Sequence, residues 1–163
     1  MENGRAAAPK PPPWFLLPPA SLGEMAAIAI NGFLSQLAGA PWLMAPLGAS
    51  CILAFGAPDS SLARPRSIIG GHLLSCLVSL LALRLPGDRY LAAALAVGLS
   101  LALMALCRGL HAPAGATPLL AMASHPQLVF LLPPVLAGSL AIVAVAWLIN
   151  NRRAPGSCPR YWL

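Results

Sequence analysis

Few side chains in this sequence can do chemistry, and most of those that can lie in or beside one string that the chain carries twice. Ala45-Pro46-Leu47-Gly48-Ala49-Ser50 returns as Ala112-Pro113-Ala114-Gly115-Ala116-Thr117. Extended by four residues, both copies read A-P-x-G-A-[ST]-x-x-L-A, and Pro46 and Pro113 are 67 residues apart. Ser50 and Thr117 supply hydroxyl donors, while Gly48, Ala49, Gly115 and Ala116 leave backbone amides unshielded. Hydroxyls with small neighbours suit the recognition of a small anion. His111 opens the second copy and His72 follows Gly70-Gly71, so both imidazoles are candidates for lining the same site. Arg64, Arg66 and the carboxylate of Glu24 form a second tier that could attract an ion or couple a proton.

The elements that must position these residues lie in lipid. The sequence is 58% hydrophobic and only 9% charged, with a mean hydropathy of +0.77. A soluble domain carries about 25% charged residues, so there is too little polar surface here to coat a globule in water. The net charge of +6 does not indicate nucleic-acid binding. Its basic residues stand singly or in pairs between apolar runs, which is the pattern of topology-setting charges in short loops.

Four segments reach or approach the roughly 20 residues needed to cross a bilayer: 21–40, 67–85, 90–107 and 127–150. Between them lie two shorter apolar segments broken by Pro and Gly, 41–57 and 111–124. The expected fold is therefore all-α, a polytopic transmembrane bundle of two inverted long–short–long repeats. Repeat 1 covers about 20–88 and repeat 2 about 89–152. A Pro-rich disordered tail is expected over 1–19 and a second tail over 153–163. Trp14, Phe15, Trp42, Trp147, Tyr161 and Trp162 mark membrane boundaries, because amphipathic rings favour the headgroup level.

Two topologies are compatible with the charges. If the short segments cross, Arg5, Lys10, Arg64, Arg66, Arg108, Arg152, Arg153 and Arg160 share one side, opposite Arg84 and Arg89. If they are re-entrant, the division is seven to three instead of eight to two. Both place the termini in the cytoplasm by the positive-inside rule, with the inner membrane as the expected location.

Thr117-Pro118 reads as a helix start, with Thr as N-cap and Pro at N1. By the repeat, Ser50 would cap a matching helix over Cys51–Gly56, hinged at Gly48 as the second is at Gly115. Such helices, about 10 Å long at 1.5 Å per residue, would leave their N-termini inside the membrane. Paired interrupted segments of this kind point to a transporter's binding site, and helix N-termini favour anions. The alternative is a packing role for the small residues in a non-transporting scaffold or regulatory subunit.

Enzyme and cofactor signatures are absent: there is no Walker A string, G-x-G-x-x-G, H-E-x-x-H or G-x-S-x-G. Gly48-Ala49-Ser50-Cys51 departs from the G-x-S-G turn of rhomboid-like proteases at its last position, and no partner histidine for Ser50 is evident in the sequence. Cys51, Cys76, Cys107 and Cys158 show no C-x-x-C spacing, so neither a metal site nor a disulfide framework is expected.

The chain resembles the HPP family of integral membrane proteins. The resemblance rests on Pro46-Leu47-Gly48-Ala49-Ser50, Phe55-Gly56-Ala57-Pro58, Ala63-Arg64-Pro65-Arg66 and Ile69-Gly70-Gly71-His72. It continues through His111, Pro113 and Gly115-Ala116-Thr117 to Trp147 and Asn150-Asn151, with Ala112 where the His-Pro-Pro motif has proline. It implies four membrane spans and transport of a small anion, with nitrite the substrate linked to some members. For so small a chain a homo-oligomer is expected.

Overall fold

The computed structural model describes residues 11–39, 43–153, 156 and 158. Trp42, Arg5, Lys10, Arg160, Tyr161 and Trp162, and most of both expected tails, lie outside these. Within the described residues the fold is all-helical, as the apolar runs require. A 3₁₀ turn at Trp14–Leu16 leads into α1 (Leu17–Ala38), so helix begins inside the stretch expected to be a disordered tail. Then follow α2 (Ala45–Gly56), a turn at Ser61–Ala63, α3 (Pro65–Ala82) and α4 (Arg89–Leu106). A 3₁₀ turn, Ala112–Ala116, runs directly into α5 (Thr117–Ser124). The last pass starts as a 3₁₀ turn at Leu128–Leu131, widens to a π-turn over Leu132–Ala137 at Pro133-Pro134, and continues as α6 (Gly138–Arg153).

The boundaries have local causes. Pro46 and Pro65 sit in the first turns of α2 and α3, where a missing N–H costs nothing. Asp88 caps α4 by accepting from the Tyr90 amide at 2.7 Å. Gly39, at φ 59°, ends α1 in the left-handed conformation.

Three helical runs are both long and apolar enough to cross a membrane: Pro65–Ala82, Arg89–Leu106 and Leu128–Arg153. The fourth expected span, α1, has 22 residues but falls short in apolarity, because Glu24, Asn31 and Gln36 interrupt it.

The helix ends gather at two poles. At one, Arg66 donates to the carbonyls of Cys107 and Arg108 at the end of α4, and His111 reaches Leu62. At the same pole Asn150 and Arg153 of α6 donate to Ala54 and Phe55 at the end of α2, and Gly23 of α1 lies against Phe55 and Ile149. At the other pole the Arg89 guanidinium meets His125, just past α5. The segment 111–124 therefore runs from one end of α4 to the other, and the chain makes six alternating passes. A membrane-impermeant maleimide is expected to reach native Cys107 and a Leu85→Cys thiol from opposite faces, with the other cysteines replaced. Labelling of both from one face would contradict this pass order.

α3 is the central helix, packed on α4, α5 and α6, while α1 packs on α2 and α6. Buried Ser67, Gly71, Ser75 and Ser79 recur every fourth residue along α3 and give it a small, polar inner stripe. A Cβ on Gly71 would lie 2.7 Å from the His111 Cβ. A Cβ on Gly138 would lie 2.7 Å from Leu47 Cδ1 and 2.8 Å from Asn31 Oδ1. At these two glycines, as at Gly23 against Phe55, a helix must come close to a short segment.

Candidate functional site

Four of the candidates from the sequence meet in one place. Ser50 points inward from the middle of α2, and its Oγ lies 2.7 Å from His72 Nε2 of α3 and 2.8 Å from His111 Nε2. It also lies 2.8 Å from the Pro46 carbonyl one turn earlier. The far nitrogen of each imidazole is engaged too: His72 Nδ1 is 3.3 Å from Thr117 Oγ1, and His111 Nδ1 is 2.7 Å from the Leu62 carbonyl. Each half of the chain thus supplies one histidine and one hydroxyl. All four side chains are at most 2% exposed. His72 lies two turns into α3, about 10 Å below the Arg66 pole.

A polar cluster this deep persists because its members satisfy one another. Around it, Gly71 lets α3 approach His111, and Ser75 Oγ donates to the Ala114 carbonyl at 2.7 Å, tying the 3₁₀ turn to α3. Above it, a cavity of about 190 Å³ is lined by Ser61, Leu62, Arg66, Ser67, Arg108 and Leu110. Leu62 belongs to both, lining the cavity and accepting from His111. Arg108 holds a left-handed backbone at φ 53°, costly for a residue with a Cβ.

Two expectations about the helices are overturned. Ser50 does not cap a short helix. α2 begins five residues earlier at Ala45, Pro46 occupies its first turn, and Gly48 is a mid-helix residue, not a hinge. Thr117 does begin α5, but its hydroxyl makes no cap, and the 3₁₀ turn through Gly115 carries helical bonding straight into it. There are therefore no facing half-helix N-termini. α2 begins at the pole away from Arg66 and the second segment begins at the Arg66 pole.

Gly48, Ala49, Gly115 and Ala116 are not brought to the centre. Ala49 and Ala116 are exposed, Gly48 and Gly115 are half-buried, and a Cβ on either glycine would meet nothing within 4 Å. Each precedes an inward hydroxyl by one or two positions, and at about 100° per residue that turns it outward. Arg64 donates to the Asp59 carbonyl at 3.0 Å and folds the turn above the centre. Arg66 ties α3 to the end of α4, so Arg66→Ala is expected to lower stability by about 1 kcal/mol, measured by thermal unfolding in detergent. Glu24 is half-buried on α1, and among the described residues no hydrogen bond joins it to the centre.

Ser50, expected to lack a histidine partner, has two. Acyl transfer still does not follow. Cβ and three close partners occupy the four directions around Oγ, so no lone pair is open to a substrate carbonyl. Among the described residues no group of three His, Cys, Asp or Glu is placed to hold a metal. What the arrangement can do is pass and hold protons. Sequence reading missed Leu62 and Pro46, which act through backbone carbonyls that carry no residue signature. Gly71 and Ser75 did carry one, in the four-residue spacing of small residues along α3.

The family-level match covers nearly the whole chain: residues 9–159 fit the HPP transmembrane region. The chain belongs to the HPP family. It is 38% identical over 128 residues to a transmembrane protein of Dictyostelium discoideum, covering 74% of this chain and 45% of that protein. A second transmembrane protein of the same organism is 34% identical over 129 residues, with 74% and 42% covered. The chain thus spans less than half the length of these relatives, and their names give a membrane location and no activity. No solved structure matches. As an HPP member with three long apolar helical runs, the chain is a multi-pass membrane protein.

Proposed function

We propose that this HPP protein carries a small inorganic anion across the bilayer, nitrite being the first candidate, through the centre built on Ser50. One observation carries the reading: two histidines and two hydroxyls from different halves converge inside an apolar bundle. Ionisable groups at such depth are costly and mark ion or proton pathways. The cavity at the Arg66 pole supports it, since Arg66 and Arg108 bring positive charge to an entrance directly above His111.

We further infer that the halves are inverted repeats. Each half makes three passes, an odd number. From Met44/His111 to Ala54/Ala121 the paired positions share the same degree of burial, apart from Pro46/Pro113. Two of the three close-approach glycines, Gly71 and Gly138, are also 67 apart, and they face Ala114 and Leu47, again 67 apart. Packing partners exchange in the same way, α1 on α6 matching α4 on α3. The positive-inside rule makes the Arg66 pole cytoplasmic, since Arg64, Arg66, Arg108, Arg152 and Arg153 lie towards it. The inner membrane of a cell is the proposed location. The outward small residues of α2 and the Ala112–Ala116 turn offer a second copy a face for close packing.

A non-transporting scaffold is the competing reading, favoured by the near-complete burial of the centre. Uptake separates them. Proteoliposomes are expected to accumulate nitrite, nitrate, formate or chloride above empty liposomes. Equality with empty liposomes across this panel would end the transport reading.

A further inference from the structure

We propose that the Ser50 centre is a one-proton carrier: a proton taken up at Nε2 of His111 loads it, and that proton accompanies the anion. The coupling half of this rests on the transport reading above; the proton half rests on hydrogen-bond geometry alone.

The accounting starts from the one partner whose role is fixed. The Leu62 carbonyl can only accept, so His111 Nδ1 carries a hydrogen. In neutral His111 the Nε2 atom is then an acceptor, so Ser50 has one hydroxyl proton for two acceptors, that nitrogen and the Pro46 carbonyl. His72 completes a one-way chain: its Nε2–H donates to Ser50 Oγ, and its Nδ1 accepts from the Thr117 hydroxyl. This neutral arrangement leaves one contact without a hydrogen. If Ser50 donates to the Pro46 carbonyl, its Oγ faces the bare Nε2 of His111 at 2.8 Å, and if it donates to His111 it faces the carbonyl oxygen at 2.8 Å; either bare contact is repulsive.

One proton removes the conflict. With Nε2 of His111 protonated, both imidazoles donate to Ser50 Oγ, and the hydroxyl rotates to donate to the Pro46 carbonyl. Each of the three close contacts around Oγ then holds one hydrogen. Protonating His72 instead does not help, because Ser50 would still have one proton for two acceptors, His111 and the Pro46 carbonyl. Loading needs no bond broken beyond the rotation of one hydroxyl, and unloading reverses it.

The surroundings explain why an anion must travel with the proton. The groups in contact with His111 are Ser50 from α2, His72 and Gly71 from α3, and the Leu62 carbonyl. Beyond that carbonyl the turn continues to Arg64 and Arg66, both cationic. None of the hydrogen-bond partners of His111 is an acid, so a buried imidazolium finds no fixed counter-charge there. Buried charges require pairing, and a mobile monoanion entering past Arg66 supplies it. One proton with one monoanion makes each cycle electroneutral.

The test uses the full chain with the exposed third histidine replaced, His125→Gln, labelled with ¹⁵N-histidine, in lipid nanodiscs titrated between about pH 8 and pH 5, with and without sodium nitrite. Expected is one ring passing from one N–H to two, its signals absent in His111→Gln, while His72 keeps one. Ser50→Ala should remove that step from the window. A His111 ring with one N–H throughout, nitrite present, or His72 gaining the proton first, would overturn the carrier. In proteoliposomes with an internal pH dye, one proton should enter per nitrite above the empty-liposome leak, and clamping the membrane potential should leave the rate unchanged. Nitrite uptake without protons, or a tenfold response to potential, would reject the coupling and leave transport standing. Absence of uptake would sink transport and coupling together, while the titration still decides the proton site.

Discussion

Gly71→Ala is expected to bring anion uptake down to the empty-liposome level, whereas Gly70→Ala, one residue earlier, should leave uptake intact. The added methyl at 71 would lie 2.7 Å from the His111 Cβ and 3.3 Å from Met104 Sδ. A Cβ is fixed to the backbone and cannot swing aside, so α3 and the Ala112–Ala116 turn must separate. Overpacking of this kind costs about 1–3 kcal/mol, and here it also pulls His111 away from Ser50. At Gly70 a Cβ meets nothing within 4 Å, and Ala is the better helix former by up to about 1 kcal/mol. Neighbouring, chemically identical substitutions should therefore shift thermal unfolding in detergent in opposite directions. If Gly71→Ala keeps both stability and uptake, the close approach of α3 to His111 does not hold.

Ser50→Ala is the second large effect. It removes the one group that both imidazoles address and leaves two buried ring nitrogens facing each other. An unsatisfied buried polar group costs about 1–3 kcal/mol, so a loss of roughly 2–5 kcal/mol is expected, with uptake at background. Thr117→Val touches the same network only through the 3.3 Å contact to His72, and should cost about 1 kcal/mol with partial uptake. Thr117→Ser keeps the hydroxyl and should keep the activity. Equal effects of Ser50→Ala and Thr117→Val would mean that Ser50 is not the hub.

The repeat was legible because Pro, Gly and a hydroxyl at fixed spacing are hard to obtain by accident in a chain of Ala and Leu. It led to Ser50, Thr117 and the adjoining His111, which meet His72, a residue marked separately as a histidine at the start of an apolar span. What the string could not reveal was its own conformation. Proline starts a helix equally well at Pro46 and at Pro118, and only packing decides which start is used. In the first copy α2 starts with Pro46 in its opening turn; in the second, 3₁₀ bonding from Ala112 leads into Thr117. The expected glycine hinges failed for the same reason, since Gly48 fits a continuous helix that α1, α6 and the Ala112–Ala116 turn hold in place. Partner assignment was also hidden: two histidines at 72 and 111 meet a serine at 50 only because of how the six passes are arranged.

That arrangement has a consequence for how the protein is made. Of these six helices α1 leaves the ribosome before the other five, yet it packs against α6, which follows them; α3 waits likewise for α4 and α5. The two halves are therefore duplicated in sequence but not separable as folding units. The Ser50 centre comes into being only when the second half has been threaded back among the helices of the first.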